Sequence, residues 1–273
     1  MGVEAIVARP LPPLPARRPL PGIDAAFPRP PALDDNAVVA GRVDLTRSVA
    51  RFRIRPDAPV GHVEPGQYLA LGLMVDGCRL QRPYSTATPA GVHAELEFLI
   101  RLVPGGALTP RLWDLRVGDR LHLGRPKGLF TRIPDDRRTH LFISTGTGLA
   151  PVTAMVETFM REPSPPRAVV VHGVAHVAEL AYRERFERHA AAGVVAYVPS
   201  ISRPGDSANA GWAGRTGRID AILDDVWDAH HLTPDDTVAY LCGNPGMIAA
   251  GERILAARGL RGDAIRSEHY WPI

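Results

Sequence analysis

The chain has 273 residues, 45% hydrophobic and 22% charged, which is long enough for two ordinary domains and typical of a soluble globular protein. No stretch approaches the roughly 18 to 20 apolar residues of a bilayer span, and the start "MGVEAIVARPLPPLPARRPL" lacks a signal-peptide core, so the expectation is a cytoplasmic protein without membrane contact. The net charge of +3 rests on Arg, with Lys127 the sole lysine and no Arg-rich run, which argues against a nucleic-acid partner, while the two cysteines, Cys78 and Cys242, are too few for a disulfide framework or a four-thiolate iron–sulfur cluster.

Residues 1–35 are dense in proline with little apolar periodicity, and predict an extended arm that builds no core. From Asn36 the character changes. "AVVAGRVDL", "VARFRIRP", "QYLALGLMV", "RLQRPYS", "ELEFLIRLV" and "DRLHLGRP" are short β-type runs. Turn signals such as Asp76-Gly77 and Pro104-Gly105-Gly106 separate them, as in a small antiparallel barrel over 36–137. One helix interrupts it, with Thr109 placed to cap and Pro110 at the first position.

After Arg138 strands and helices alternate: "THLFIST", "VTAMVETFM", "RAVVVHGV", a helix through "VAELAYRERFERHAAAG", "VVAYVPSIS", "GRIDAILDDVW", "TVAYLCG" and "NPGMIAAGERILAARG". That order predicts a parallel five-stranded, Rossmann-like α/β domain over 138–273.

Four stretches carry chemistry. In "RLQRPYSTATP" Arg82 and Tyr84 sit two residues apart on a strand, with Pro83 between them and Ser85 turned away. A cation beside an aromatic face suits a ligand with a charged end and a flat ring; an edge strand with exposed side chains would read the same. In "STGTGLAP", Gly146 and Gly148 lie between a strand and a helix N-terminus, where backbone amides meet a pyrophosphate, although a ligand-free tight turn also wants glycines. The third glycine of the dinucleotide fingerprint is missing, and the second strand does not end in the acidic residue that would hold a ribose 2′-hydroxyl. "YLCGNPGM" places Cys242, Gly243 and Asn244 at the carboxyl edge of the sheet. "SEHYWPI" brings Glu268, Tyr270 and Trp271 to the chain end, as a docked strand or as an aromatic wall with a carboxylate beside it.

"RPYS", "PGGALT", "GTGLAP", "LCGNPGM" and a terminal "EHYW" in this order resemble the ferredoxin–NADP(+) reductases, and the terminal run is similar to the bacterial group. The resemblance implies a flavoenzyme with an FAD-binding barrel and an NADP-binding domain. Arg82 would hold the FAD pyrophosphate, Tyr84 pack on the flavin, and Ser85 lie near its N5. Leu99, Ile100, Arg101 and Leu102 would border the adenosine side, Ala107, Leu108 and Thr109 cap the pyrophosphate, and Thr147 reach the flavin from the second domain. Tyr270 and Trp271 would cover the flavin as a lid, Trp271 on the adenine. Ser85, Cys242, Glu268 and Tyr270 would serve catalysis, and Gly146, Gly148, Ser202, Arg203, Arg218, Cys242, Gly243 and Asn244 would bind NADP. One arginine of the bacterial pattern is replaced by Ala175, beside His176. Hydride would pass from NADPH, and single electrons would leave to a ferredoxin or flavodoxin. An NADH-dependent flavin reductase component of an oxygenase, and a non-catalytic nucleotide-binding subunit, are the competing readings.

Overall fold

The computed structural model describes residues 35–270. The proline-rich arm, apart from Asp35, and Trp271 lie outside the described residues.

Six strands form the first sheet: β1 Ala37–Thr46, β2 Val49–Pro56, β3 Tyr68–Val75, β4 Cys78–Ser85, β5 Leu96–Arg101 and β6 Arg120–Leu123, in the order β4-β3-β6-β1-β2-β5. Their pairings are antiparallel. Alternate residues face one core, as the two-residue period of a strand requires: Ala37 and Val39, then Ala50, Phe52 and Ile54, then Leu69 and Leu71. Asp76 and Gly77 connect β3 to β4 with φ of 49° and 75°, the left-handed pair of a two-residue hairpin, and only Gly adopts the second without strain. The ends of the sheet meet where Thr86 bridges Phe98 and the Ala87 N–H donates to the Glu97 carbonyl at 2.8 Å, which closes it into a barrel.

Helix α1, Thr109–Asp114, carries Pro110 in its first turn, but Thr109 does not cap it. Its hydroxyl turns back instead, accepting from the Val103 N–H at 2.9 Å and so closing the glycine-rich loop before it. Local backbone competes for such a hydroxyl, and the loop won.

The second sheet is parallel and has six strands, not five: β7 Thr139–Thr145, β8 Ala168–Val174, β9 Val195–Ile201, β10 Arg215–Thr216, β11 Thr237–Gly243 and β12 Ile265–His269, ordered β10-β9-β8-β7-β11-β12. The extra edge strand is two residues long, too short for any periodic signal. Helices α2 Leu149–Phe159 and α3 Arg183–Ala191 cover one face against Phe142, Val170 and Tyr240. Helices α4 Ile219–Ala229 and α5 Pro245–Ala257 cover the other against Leu141, Ile143 and Val171.

Helix α3 is shorter than the periodicity predicts. Residues 177–179 make a 3₁₀ turn, and Tyr182 takes φ of 58° before the helix begins. A left-handed non-glycine residue costs on the order of 1 kcal/mol. Here its ring is buried, with the Arg51 guanidinium of the barrel 5.5 Å from the ring centroid and that of Arg185 4.9 Å. Two cations on one ring offset the strain and tie barrel to α/β sheet.

Among the described residues no helix is long and apolar enough to cross a membrane. His140 and His172 are fully buried on β7 and β8, and burial lowers both below the ordinary 6.5, His172 to about 4. A base with a depressed folded pKa contributes full stability above its unfolded value and loses it as pH falls toward the folded one. Stability should therefore decline from about pH 6.5 to about 4, by roughly 3 kcal/mol for His172 alone. Urea midpoints at pH 7.5 and 4.5 check this, and His172→Gln should flatten the slope.

Candidate active site

The sheet order reverses between β7 and β11: β8, β9 and β10 run to one side of β7, and β11 and β12 to the other. Loops leaving such a switch point diverge and open a crevice at the carboxyl edge. After β7 the chain enters a 3₁₀ turn, Gly146–Gly148, and then α2. After β11 it passes Gly243 and Asn244 into α5. The two loops touch. A Cβ on Gly148 would collide with the Cys242 carbonyl, and one on Gly243, whose φ is 131°, with Thr145. The Asn244 N–H donates to Thr145 Oγ1 at 2.9 Å, while its side chain caps α5 by accepting from the Gly246 N–H at 2.9 Å.

Strand β12 brings the chain end to this edge. Cys242 on β11 pairs with Glu268 on one side and Ser144 on the other. The Ser85 hydroxyl, from the end of β4 in the barrel, donates to Glu268 Oε2 at 2.8 Å. Tyr270 follows, its hydroxyl donating to the Thr147 carbonyl at 3.4 Å. Residues far apart in sequence thus meet in one cluster of Ser85, Cys242, Glu268 and Tyr270. Burial pushes the Glu268 carboxyl up, opposed by the Ser85 hydrogen bond. Burial, and secondarily the Glu268 charge, push the Cys242 thiol up, so it is a neutral wall and not a thiolate nucleophile. Burial raises the Tyr270 phenol also.

On the barrel side, Arg82 lies opposite Leu71 and Tyr84 opposite Leu69, while Ser85 is buried opposite Tyr68. The Arg82 guanidinium is exposed and donates to the Gln81 carbonyl at 2.8 Å; among the described residues no carboxylate pairs with it. Pro83 is exposed. Tyr84 packs against the barrel core, and burial pushes its hydroxyl up to about 12. A free guanidinium, an aromatic ring and a buried hydroxyl on one strand end suit a flavin dinucleotide, which offers a pyrophosphate, a ring system and a proton-exchanging nitrogen. Ile100 and Leu108 face the barrel core, and Leu99 packs in the cluster under α2, so any ligand contact there falls to their backbone. Leu102 donates through its N–H to the Ser48 carbonyl, Ala107 is exposed, and Thr109 is held by its own loop. Arg101 turns toward the second sheet: its Nη2 is 3.2 Å from Glu179 Oε2 and it hangs over Gly146.

The remaining candidates lie after β9 and after β10. Ser202 donates through its N–H to the Val174 carbonyl at 2.9 Å. Arg203 is exposed, and Arg218, at the start of α4, pairs with Asp220 at 3.2 Å. Beside Ala175, His176 Nε2 meets Asp206 Oδ2 at 3.0 Å. Asn209 is buried and joins the two loops, donating to the carbonyls of Ala175 and Arg203 and accepting from the Val177 N–H. Sequence reading missed Asp206, Asn209, Glu179 and His172. The turn signal "GDSAN" marks the first two locally, but what Asn209 bridges is a tertiary fact.

Two domain descriptions match this chain, an oxidoreductase FAD-binding domain over residues 36–131 and an oxidoreductase NAD-binding domain over 142–253. It is 34% identical over 212 residues to the ferredoxin–NADP reductase of Pseudomonas aeruginosa, covering 72% of this chain and 79% of that protein. The chain belongs to the ferredoxin–NADP reductase family. It is also 31% identical over 251 residues to an aromatic O-demethylase reductase subunit of Amycolatopsis, covering 89% of this chain and 71% of that one. A solved Amycolatopsis cytochrome P450 reductase, 32% identical, superimposes with a TM-score of 0.75 over 87% of this chain and 69% of that one. As a member of the ferredoxin–NADP reductase family, the protein is a flavoprotein oxidoreductase with FAD as cofactor and a nicotinamide dinucleotide as substrate.

The different settings of the cysteines give a direct check on the site. Cys78 is exposed and Cys242 buried. Titration with Ellman's reagent should find one fast thiol in the native protein and both after unfolding in guanidinium. Two fast native thiols would contradict the packing of Cys242 beneath Glu268 and Tyr270.

Proposed function

We propose that the protein is an FAD-dependent reductase linking NADP(H) to a ferredoxin or flavodoxin, with residues 36–137 holding FAD and 138–273 the coenzyme. The hydrogen bond from Ser85 to Glu268, beside buried Cys242 and partly buried Tyr270 at the switch point, carries this reading. When bound, FAD supplies the exchange between a hydride and single electrons. Arg82 neutralises the pyrophosphate, and Tyr84 flanks the ring system. Ser85 and Glu268 hold a proton where one is exchanged, burial having pushed the Glu268 carboxyl up. Cys242 and Tyr270 exclude water from the meeting of the two rings, and the turn at Gly146 and Gly148 receives the coenzyme phosphates. Two cysteines are too few for a four-thiolate cluster in this chain, in keeping with a separate one-electron carrier.

One observation favours a second reading, an NADH-linked reductase component of an oxygenase. Where the bacterial pattern has an arginine this chain has Ala175, and the neighbouring His176 faces the Asp206 carboxylate. A carboxylate repels a 2′-phosphate and accepts from a ribose hydroxyl. Arg203 and Arg218 supply the opposing guanidinium charge, and the reading with NADPH rests on them.

Anaerobic titration with NADPH and with NADH, following flavin absorbance, decides the coenzyme. Cytochrome c reduction with and without added ferredoxin decides the carrier. Preferential bleaching by NADPH and ferredoxin-dependent turnover are expected. Arg203→Ala should raise the KM for NADPH about ten- to a hundredfold and leave that for NADH nearly unchanged. An equal effect on both coenzymes would assign the site to NADH. Arg82→Ala should weaken FAD binding about ten- to a hundredfold, measured by flavin fluorescence on titrating the apoprotein, without shifting the melting temperature of the apoprotein.

A further inference from the structure

His172 is fully buried in the middle of the parallel sheet, on β8, and none of the roles above uses it. Its Nε2 lies 3.2 Å from the carbonyl oxygen of Gly146, and its Nδ1 lies 3.3 Å from the hydroxyl of Tyr197 on β9. A carbonyl oxygen only accepts, so Nε2 must carry the proton; Nδ1 is then bare, and the Tyr197 hydroxyl must donate to it. The result is a directed chain, Tyr197 O–H to His172 to Gly146 C=O. Its end point is the residue with φ of 53° that opens the glycine turn. The same carbonyl also accepts from the Leu149 N–H, so it points into the protein along α2.

A peptide unit is planar and trans, and its carbonyl and N–H point opposite ways. Drawing the Gly146 carbonyl inward therefore aims the N–H of Thr147 outward at the carboxyl edge of the sheet. Sterics alone do not fix this peptide, since Gly146 has no side chain and the nearest group to a Cβ there would be the Arg101 guanidinium at 3.6 Å. Hydrogen bonds to its carbonyl therefore choose the peptide orientation, and the His172 bond reinforces the one from the Leu149 N–H.

We propose that His172, oriented by Tyr197, is a positioning residue for the nicotinamide coenzyme: it holds the Gly146–Thr147 peptide so that the Thr147 amide faces the coenzyme phosphates. The proposal rests on the reading that the glycine turn receives the coenzyme, and it is independent of which carrier protein takes the electrons.

The test is binding of NADP(+) to the oxidised, FAD-loaded protein, followed by the flavin difference spectrum, with FAD content and melting temperature measured alongside. His172→Leu, which removes both hydrogen bonds, should weaken NADP(+) about tenfold while FAD content and the flavin spectrum stay at wild-type levels. His172→Gln, whose amide can donate to the Gly146 carbonyl and accept from Tyr197, should recover to within about threefold. Tyr197→Phe should fall between them. Gly146→Ala meets no clash but takes a left-handed φ of 53°, at some cost in stability, and places a methyl in the phosphate approach, so it should also weaken NADP(+). Wild-type affinity in His172→Leu overturns the proposal. So does equal weakening in the Leu and Gln variants accompanied by FAD loss, which would assign His172 to packing alone. If Gly146→Ala binds normally, the reading of the turn itself fails; if it binds weakly while His172→Leu does not, only the relay fails.

Discussion

Parallel pairing of β12 with β11, from Ala239–Ile265 to Gly243–His269, sets Glu268 beside Cys242 and leaves its carboxylate within reach of Ser85 in the barrel. Because the side-chain period of a strand is two, a slip of one residue would carry Glu268 to the opposite face and replace it with Ser267 or His269. The barrel contributes the hydroxyl, the central strand the thiol, and the last strand and the residue after it the acid and the phenol. No one of these segments forms the cluster alone, so the constellation exists only when the last strand is docked in this register.

Burial then decides the chemistry that these groups support. Glu268, Cys242 and Tyr270 are all displaced toward their neutral forms, for the same reason: a charge in a water-poor crevice loses its hydration. A patch of hydrogen-bonded groups biased toward their neutral forms suits a site where a hydride and a proton move between flat rings, and disfavours one built around a thiolate. The phosphate end of the crevice follows different rules. There the proposed phosphate contacts are the exposed Arg82 and Arg203, which carry charge, and the backbone amides of the glycine turn, which are directed donors.

Between the two sheets, apolar contact of Val49, Ala87, Leu99 and Phe130 with the cluster under α2 is supplemented by polar and aromatic links. Arg51 and Arg185 share the ring of Tyr182, and Arg101 reaches Glu179. Glu179 also accepts from the Ala175 N–H at 3.2 Å. The barrel is thereby tied, through Arg101 and Glu179, to the loop where the departure from the bacterial arginine occurs. The strained backbone of Tyr182 is the local cost of this link, and it is why α3 begins later than its amphipathic pattern.

The sequence by itself determined the two-part architecture, because period-two runs broken by Asp-Gly and Gly-Gly turns, followed by alternating strands and helices, leave few ways to bury their apolar faces. It also determined the candidates at strand ends, since Arg82, Tyr84, Ser85, the Gly146–Gly148 turn, Cys242 and Glu268 all sit in motifs readable locally. Only the tertiary structure decided what those residues meet. Thr109 has the residue type of a cap but spends its hydroxyl on Val103, two acceptable local partners between which the folded loop chose. The two-residue strand Arg215–Thr216 exists only because β9 lies beside it. Asn209 and His172 look like ordinary polar residues in the sequence; their partners belong to other loops and strands, and hydrogen bonds between segments distant in the chain leave no periodic trace.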